Sequence, residues 1–88
     1  PLSCAAVLAT LDEFESTDVL KHVRQLTPLF LKRLDDLKLT GLVNHVRGDG
    51  LVFGFECNGV GSLTPGEVAA KIVEACYLGE NGVGIHLL

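Results

Sequence analysis

The chain has 88 residues, 48% of them hydrophobic, and a formal net charge of −4 from seven basic and eleven acidic side chains. A chain this short buries only about 60–65% of the surface it exposes when unfolded, so one small domain with a modest core is expected over residues 1–88. The composition argues against a disordered chain, the lack of a basic stripe with aromatic platforms argues against nucleic-acid binding, and no apolar run reaches the roughly 18 residues that would span a bilayer.

Residues 1–11 carry no charge; the hydroxyls of Ser3 and Thr10 sit among Leu2, Cys4, Val7, Leu8, Leu11 and three alanines. Alanine favours helix, and Pro1 suits a first-turn position. A helix apolar all round is covered on every side. It is either the core helix of this domain or a helix packed against another one. The acidic stretch Asp12-Glu13-Phe14-Glu15-Ser16 is expected to break it from a second helix.

In that second helix Val19, Val23, Leu26, Phe30, Leu34 and Leu37 recur at steps of three and four, within about 80° of one another on a helical projection. Lys21, Arg24, Gln25, Lys32, Asp35 and Asp36 take the opposite face. Pro28 also falls there, and an interior proline removes one backbone bond at a cost of about 3 kcal/mol. Two helices meeting at Thr27-Pro28 would place the same residues. The unbroken apolar phase favours one bent helix, ended by Gly41.

Leu42–Arg47 and Leu51–Cys57 read as strands joined by Gly48-Asp49-Gly50, with Leu51, Phe53, Phe55 and Cys57 sharing one face by alternation. Gly54 in the strand interior suggests close approach of another backbone. After the loop Asn58–Ser62, Thr64-Pro65-Gly66-Glu67 supplies an N-cap, a first-turn proline and the glutamate of a capping box. Val68, Ile72 and Cys76 then line the inner face of a third helix, with Glu67 and Lys71 poised to pair outside. Gly79–Gly82 ends it, and Val83–Leu88 reads as a third strand. The expected fold is α+β in the order α-α-β-β-α-β, with helices packed on a small, mostly antiparallel, three-stranded sheet.

Chemistry is sparse. His22, His45 and His86 are scattered without ligands at metal spacing. The odd set Cys4, Cys57 and Cys76 has no disulfide framework, which fits reduced thiols in an intracellular protein. With no signal pattern present, the expected compartment is the cytoplasm. The glycines at 48, 50, 59 and 61 do not make a strand-to-helix phosphate loop. Arg47-Gly48-Asp49 spells an adhesion tripeptide but reads as a tight turn. A lysine that binds a carbonyl cofactor covalently must be sheltered from water or set beside another cation. Lys21, Lys32, Lys38 and Lys71 all fall at polar positions. No catalytic, cofactor-binding or metal-ligating residue is assigned.

Three segments resemble the C-terminal part of the class III aminotransferases, the family of ornithine, acetylornithine and 4-aminobutyrate transaminases. Pro1-Leu2-Ser3-Cys4-Ala5-Ala6-Val7-Leu8-Ala9-Thr10-Leu11-Asp12 is similar to the family's N-P-L-[AS]-C-A-A-A-L-A-x-L-[DE] helix. Val46-Arg47-Gly48-Asp49-Gly50-Leu51-Val52-Phe53-Gly54-Phe55-Glu56 resembles its V-R-G-x-G-L-M-x-G-[IV]-E hairpin, and Glu80-Asn81-Gly82-Val83 its E-x-G-[VL] turn. Gly84, where a larger aliphatic residue is usual, and Pro28, within a normally smooth helix, depart from the pattern.

The resemblance implies that the chain is a C-terminal small domain of a pyridoxal 5'-phosphate-dependent aminotransferase, acting on an amino acid or amine and a 2-oxo acid. It also implies that the cofactor lysine, the aspartate facing the pyridine nitrogen and the phosphate-binding segment precede the position matching Pro1, and that a substrate-carboxylate arginine follows the one matching Leu88. No catalytic residue is carried onto this chain, no cofactor is expected to bind this fragment alone, and Arg47, Gly48, Gly50 and Glu56 are implied to be structural. The first helix would pack against the cofactor-binding domain of the same parent chain, itself a homodimer or higher oligomer, with no nucleic-acid or membrane partner. Both ends of the chain fall in apolar runs, as expected of a piece cut from a longer protein. An independent α+β module that binds a metabolite or a protein is the alternative.

Overall fold

A computed structural model describes residues 1–88, with helix α1 at Leu2–Thr17, α2 at Val19–Asp36, a 3-10 turn at Leu37–Thr40, strands β1 at Val43–Asp49 and β2 at Val52–Cys57, and α3 at Pro65–Leu78. The expected break at residues 12–16 does not occur there. Glutamate is a good helix former, and the Thr10 and Thr17 hydroxyls donate back to the Ala6 and Glu13 carbonyls at 2.8 and 2.6 Å. α1 therefore runs on to Asp18, whose left-handed backbone (φ 56°, ψ 38°) turns the chain directly into α2. Aspartate tolerates that region better than most residues.

α2 continues through Pro28 as one helix. Beside the proline, the Thr27 hydroxyl lies 2.7 Å from the Val23 carbonyl and 3.0 Å from that of Gly50, so it can donate within the helix or to the hairpin turn. The last turn tightens to 3-10 geometry before Gly41 reverses the chain at φ 78°.

β1 and β2 pair antiparallel, with Arg47 opposite Gly54 and Asp49 opposite Val52. An irregularity between Val43 and His45 shifts the alternation by one residue. It lets Val43 and Val46 both face inward, 4% and 9% exposed, and with Val68 they are the only three buried residues. Phe53, Phe55 and Cys57 share the half-buried face as alternation predicts. The Phe53 ring meets Phe30 of α2 edge-to-face at 5.2 Å, a contact worth about 1 kcal/mol beyond its area. Gly54 faces open space: a Cβ there would meet nothing within 4 Å.

α3 begins with the expected capping box. The Glu67 amide donates to the Thr64 hydroxyl at 3.2 Å, and that hydroxyl donates to the Glu67 carboxylate at 3.0 Å. Glu67 is thereby committed to the cap and makes no ion pair with Lys71. Removing the cap side chain with Thr64→Ala should lower stability by about 1 kcal/mol, read as an earlier midpoint in urea with an unchanged slope.

The three-stranded sheet expected from the sequence is not formed. The fold is α-α-β-β-α with a two-stranded sheet, and Val83–Leu88 is not a strand. Gly79, Asn81 and Gly82 all have positive φ, so the chain turns back on the end of α3 instead of reaching the sheet edge. The Ile85 amide donates to the Cys76 carbonyl at 2.7 Å, a helix-end acceptor rather than a ladder partner, and His86 stacks edge-to-face on Tyr77 at 6.0 Å. Gly84 lies against the Tyr77 carbonyl, where a Cβ would collide. Hence its small size.

The helices do not all pack on the sheet. The radius of gyration is 17.4 Å and the long axis 53 Å, against about 12 Å for a compact chain of this length. α1 is responsible. It has no buried residue, and Leu2, Val7, Leu8, Leu11 and Phe14 are 88, 58, 63, 54 and 42% exposed.

Candidate functional site

The four lysines are water-facing. Lys21 and Lys71 are exposed; the Lys32 ammonium lies 3.4 Å from Asp36 with its side chain 74% exposed; Lys38 pairs with Asp35 at 3.1 Å. None lies in an enclosed polar pocket. These residues do not fit a covalent pyridoxal phosphate site.

An anion has no better place. The N-terminus of α3, whose free amides and dipole attract negative charge, is closed by the Thr64–Glu67 box. Gly59 precedes, and Gly61 lies within, a small closed turn in which Val60 and Leu63 exchange backbone bonds of 3.1 and 2.9 Å. No three His, Cys, Asp or Glu side chains converge where they could share a metal ion. His22 and His45 are exposed on separate elements, and His86 lies in the tail. Cys4 is exposed while Cys57 and Cys76 are half-buried, and all three thiols are free.

The Arg47-Gly48-Asp49 tripeptide is absorbed by the hairpin. Arg47 reaches across to Glu56 at 2.7 Å, and the Asp49 carboxylate accepts the Gly50 amide at 2.7 Å. Arg47 is held at the sheet by its own chain.

What remains is apolar. A groove of about 420 Å³ runs along α2, lined by Leu26, Leu29, Phe30 and Leu51 with Arg33 at its edge. A second hollow of about 340 Å³ lies between the end of α2, the sheet, α3 and the tail, lined in part by Leu34, Phe55, Ile72, Cys76 and Leu87. Arg33 was not singled out by the sequence reading. Its signal is the spacing Leu26, Leu29, Arg33, a stripe adjoining the main apolar face.

No family model matches the chain, and no solved structure matches it. Curated proteins do. An adenosylmethionine-8-amino-7-oxononanoate aminotransferase of Methanocaldococcus jannaschii is 42% identical over 55 residues, 62% of this chain and 12% of that protein. A probable mitochondrial gamma-aminobutyrate transaminase 3 of Oryza sativa subsp. indica is 29% identical over 56 residues, 64% of this chain and 11% of that protein. A chloroplastic gamma aminobutyrate transaminase 3 of Solanum lycopersicum is 30% identical over 56 residues, again 64% and 11%. The shared segment is thus about one-eighth or less of the relatives it matches.

Proposed function

We propose that this chain, related through some 55 shared residues to the class III pyridoxal-phosphate-dependent aminotransferases, is the C-terminal small domain of a longer enzyme of that kind. The parent transfers an amino group between an amino acid or amine and a 2-oxo acid. Its bound pyridoxal phosphate supplies the electron sink for that exchange. The lysine that holds the cofactor comes from outside residues 1–88.

The observation that carries this reading is α1. A chargeless run from Leu2 to Leu11 is folded as helix yet has no buried residue. Exposed apolar patches of this kind mark contact surfaces. In the parent, α1 lies against the cofactor-binding domain, and the sheet and α3 behind it support that wall of the active site. The parent is a homodimer or higher oligomer with no nucleic-acid or membrane partner. The same reading places the parent in the cytoplasm.

The coding sequence on either side tests this reading. A doubly wound domain encoded upstream, with a lysine following one of its strands, is the expected result. A start codon immediately before that of Pro1 would instead make the chain a free-standing module.

A further inference from the structure

We propose that Asn81-Gly82 is a site of spontaneous deamidation, and that the fold shields the chain's other Asn-Gly pair, Asn58-Gly59, from the same reaction. Both pairs have the composition for it. Glycine carries no Cβ, so its backbone nitrogen can approach the preceding asparagine side chain without a steric barrier. That nitrogen forms a bond to the asparagine Cγ as the Cγ–Nδ2 bond breaks. Its proton leaves with the departing amide group as ammonia. Water then opens the cyclic imide at either carbonyl, leaving aspartate or its backbone-shifted isomer, isoaspartate. Nothing is oxidised or reduced.

The two pairs sit in different surroundings. The Asn58 carboxamide is clamped at both ends: its Oδ1 accepts from Asn44 Nδ2 at 2.9 Å, and its Nδ2 donates to the Gly41 carbonyl at 2.9 Å. Its backbone amide donates to the Leu42 carbonyl at 2.8 Å. Gly59 is crowded too, since a Cβ there would lie 2.9 Å from the Leu63 carbonyl oxygen and 3.4 Å from the Pro65 ring. Asn58 must break its side-chain bonds before its Cγ is free to react.

Asn81 has no such restraint. Asn81 and Gly82 are exposed, with φ of 54° and 77°, the pattern of a two-residue hairpin turn that favours Asn-Gly. Glu80 and Val83 close the turn with backbone bonds of 2.9 and 3.1 Å. The Asn81 carboxamide has no hydrogen-bond partner in the chain, the Gly82 amide donates to no carbonyl, and the space beside Gly82 is open to 4 Å. Ring closure requires Asn81 to leave the left-handed region, and an exposed turn of this kind opens locally at low cost.

The product changes the end of the fold. This turn sends Val83–Leu88 back along α3. Isoaspartate routes the backbone through Cβ and Cγ, which lengthens the turn and takes Glu80 and Val83 out of register. Either product also sets a new carboxylate beside Glu80. The chemistry belongs to the turn alone and is independent of the transaminase reading.

Ageing the intact protein at mildly alkaline pH, with peptide mapping by mass spectrometry at intervals, follows both pairs in one sample. Asn81 should convert to aspartate and isoaspartate about tenfold or more faster than Asn58, whose two side-chain hydrogen bonds must open first. In concentrated urea the two rates should converge to within about twofold, because the clamp is gone. Asn44→Ala removes half of the clamp at an exposed position. It should speed Asn58 several-fold and leave Asn81 unchanged, with far-UV circular dichroism showing that the helices are kept. An Asn81 as slow as Asn58 in the folded protein, a preference for Asn81 that persists in full in urea, or an Asn58 unmoved by Asn44→Ala would overturn the proposal.

Discussion

Replacing Gly48 by alanine should cost about 3 kcal/mol or more, a large share of the stability of so small a domain. Gly48 sits in β1 opposite Phe53 with φ 147°, a backbone region L-residues rarely adopt. Such strain alone costs about 1–3 kcal/mol. An added Cβ would also strike the Val52 carbonyl oxygen and come within 2.7 Å of the Phe53 Cα. Relief requires β2 to move, which pulls the Phe53 ring from Phe30 and loosens the sheet from α2. A lone two-stranded hairpin is marginal in water, so losing that helix contact should spread to the whole ladder. Gly54→Ala is the internal control: it lies in the partner strand with open space around its Cα and should be neutral or slightly stabilising by about 0.5 kcal/mol. Urea unfolding of both variants gives the comparison. Equal losses at the two positions would show that the close contact at Gly48 does not set the hairpin.

Gly79→Ala should detach the tail rather than unfold the domain. Gly79 combines φ 68° with ψ −166°, a conformation essentially reserved for glycine. A Cβ there would overlap the Val83 carbonyl. The turn must then open, and with it the Ile85-to-Cys76 hydrogen bond and the His86–Tyr77 contact that hold Val83–Leu88 against α3. Local openings of this kind appear first in amide exchange. The Ile85 amide should lose its protection while the amides of α3 before Cys76 keep theirs. Unchanged protection at Ile85 would mean that the tail is held by its apolar side chains and not by the turn.

Much of this fold is legible in the sequence because it is written in local terms. The Thr64–Glu67 box places the start of α3 through hydrogen bonds among four consecutive residues. The stripe from Val19 to Leu34 carries α2 across Pro28, and Phe53, Phe55 and Cys57 show the inner face of β2 by alternation alone. What is not legible depends on distant partners. Val83–Leu88 has the composition of a strand, but strand formation needs a neighbouring edge, and the turn from Gly79 to Gly82 delivers the segment to a helix end. The shift at Asn44 that turns both Val43 and Val46 inward is invisible to simple periodicity, and Asn58 helps hold it by pairing with Asn44 at 2.9 Å. The acidic run at residues 12–16 has the composition of a break, but carboxylates are compatible with helix, and the left-handed Asp18 is what ends α1.

The same division holds for the candidate site. The solvation of Lys21, Lys32, Lys38 and Lys71 follows from their places on polar helical faces. The groove beside Arg33 needs Leu51 from the hairpin to complete its wall, and no local pattern in α2 announces that neighbour.

The most direct measurement is reduction of the chain with borohydride in the presence of pyridoxal phosphate, followed by digestion and mass spectrometry. With every lysine ammonium open to water, labelling should be low and scattered over several positions. Stoichiometric capture at a single lysine would mean that residues 1–88 shelter a cofactor amine of their own, and the chain could no longer be the portion of a divided site that lacks the cofactor lysine.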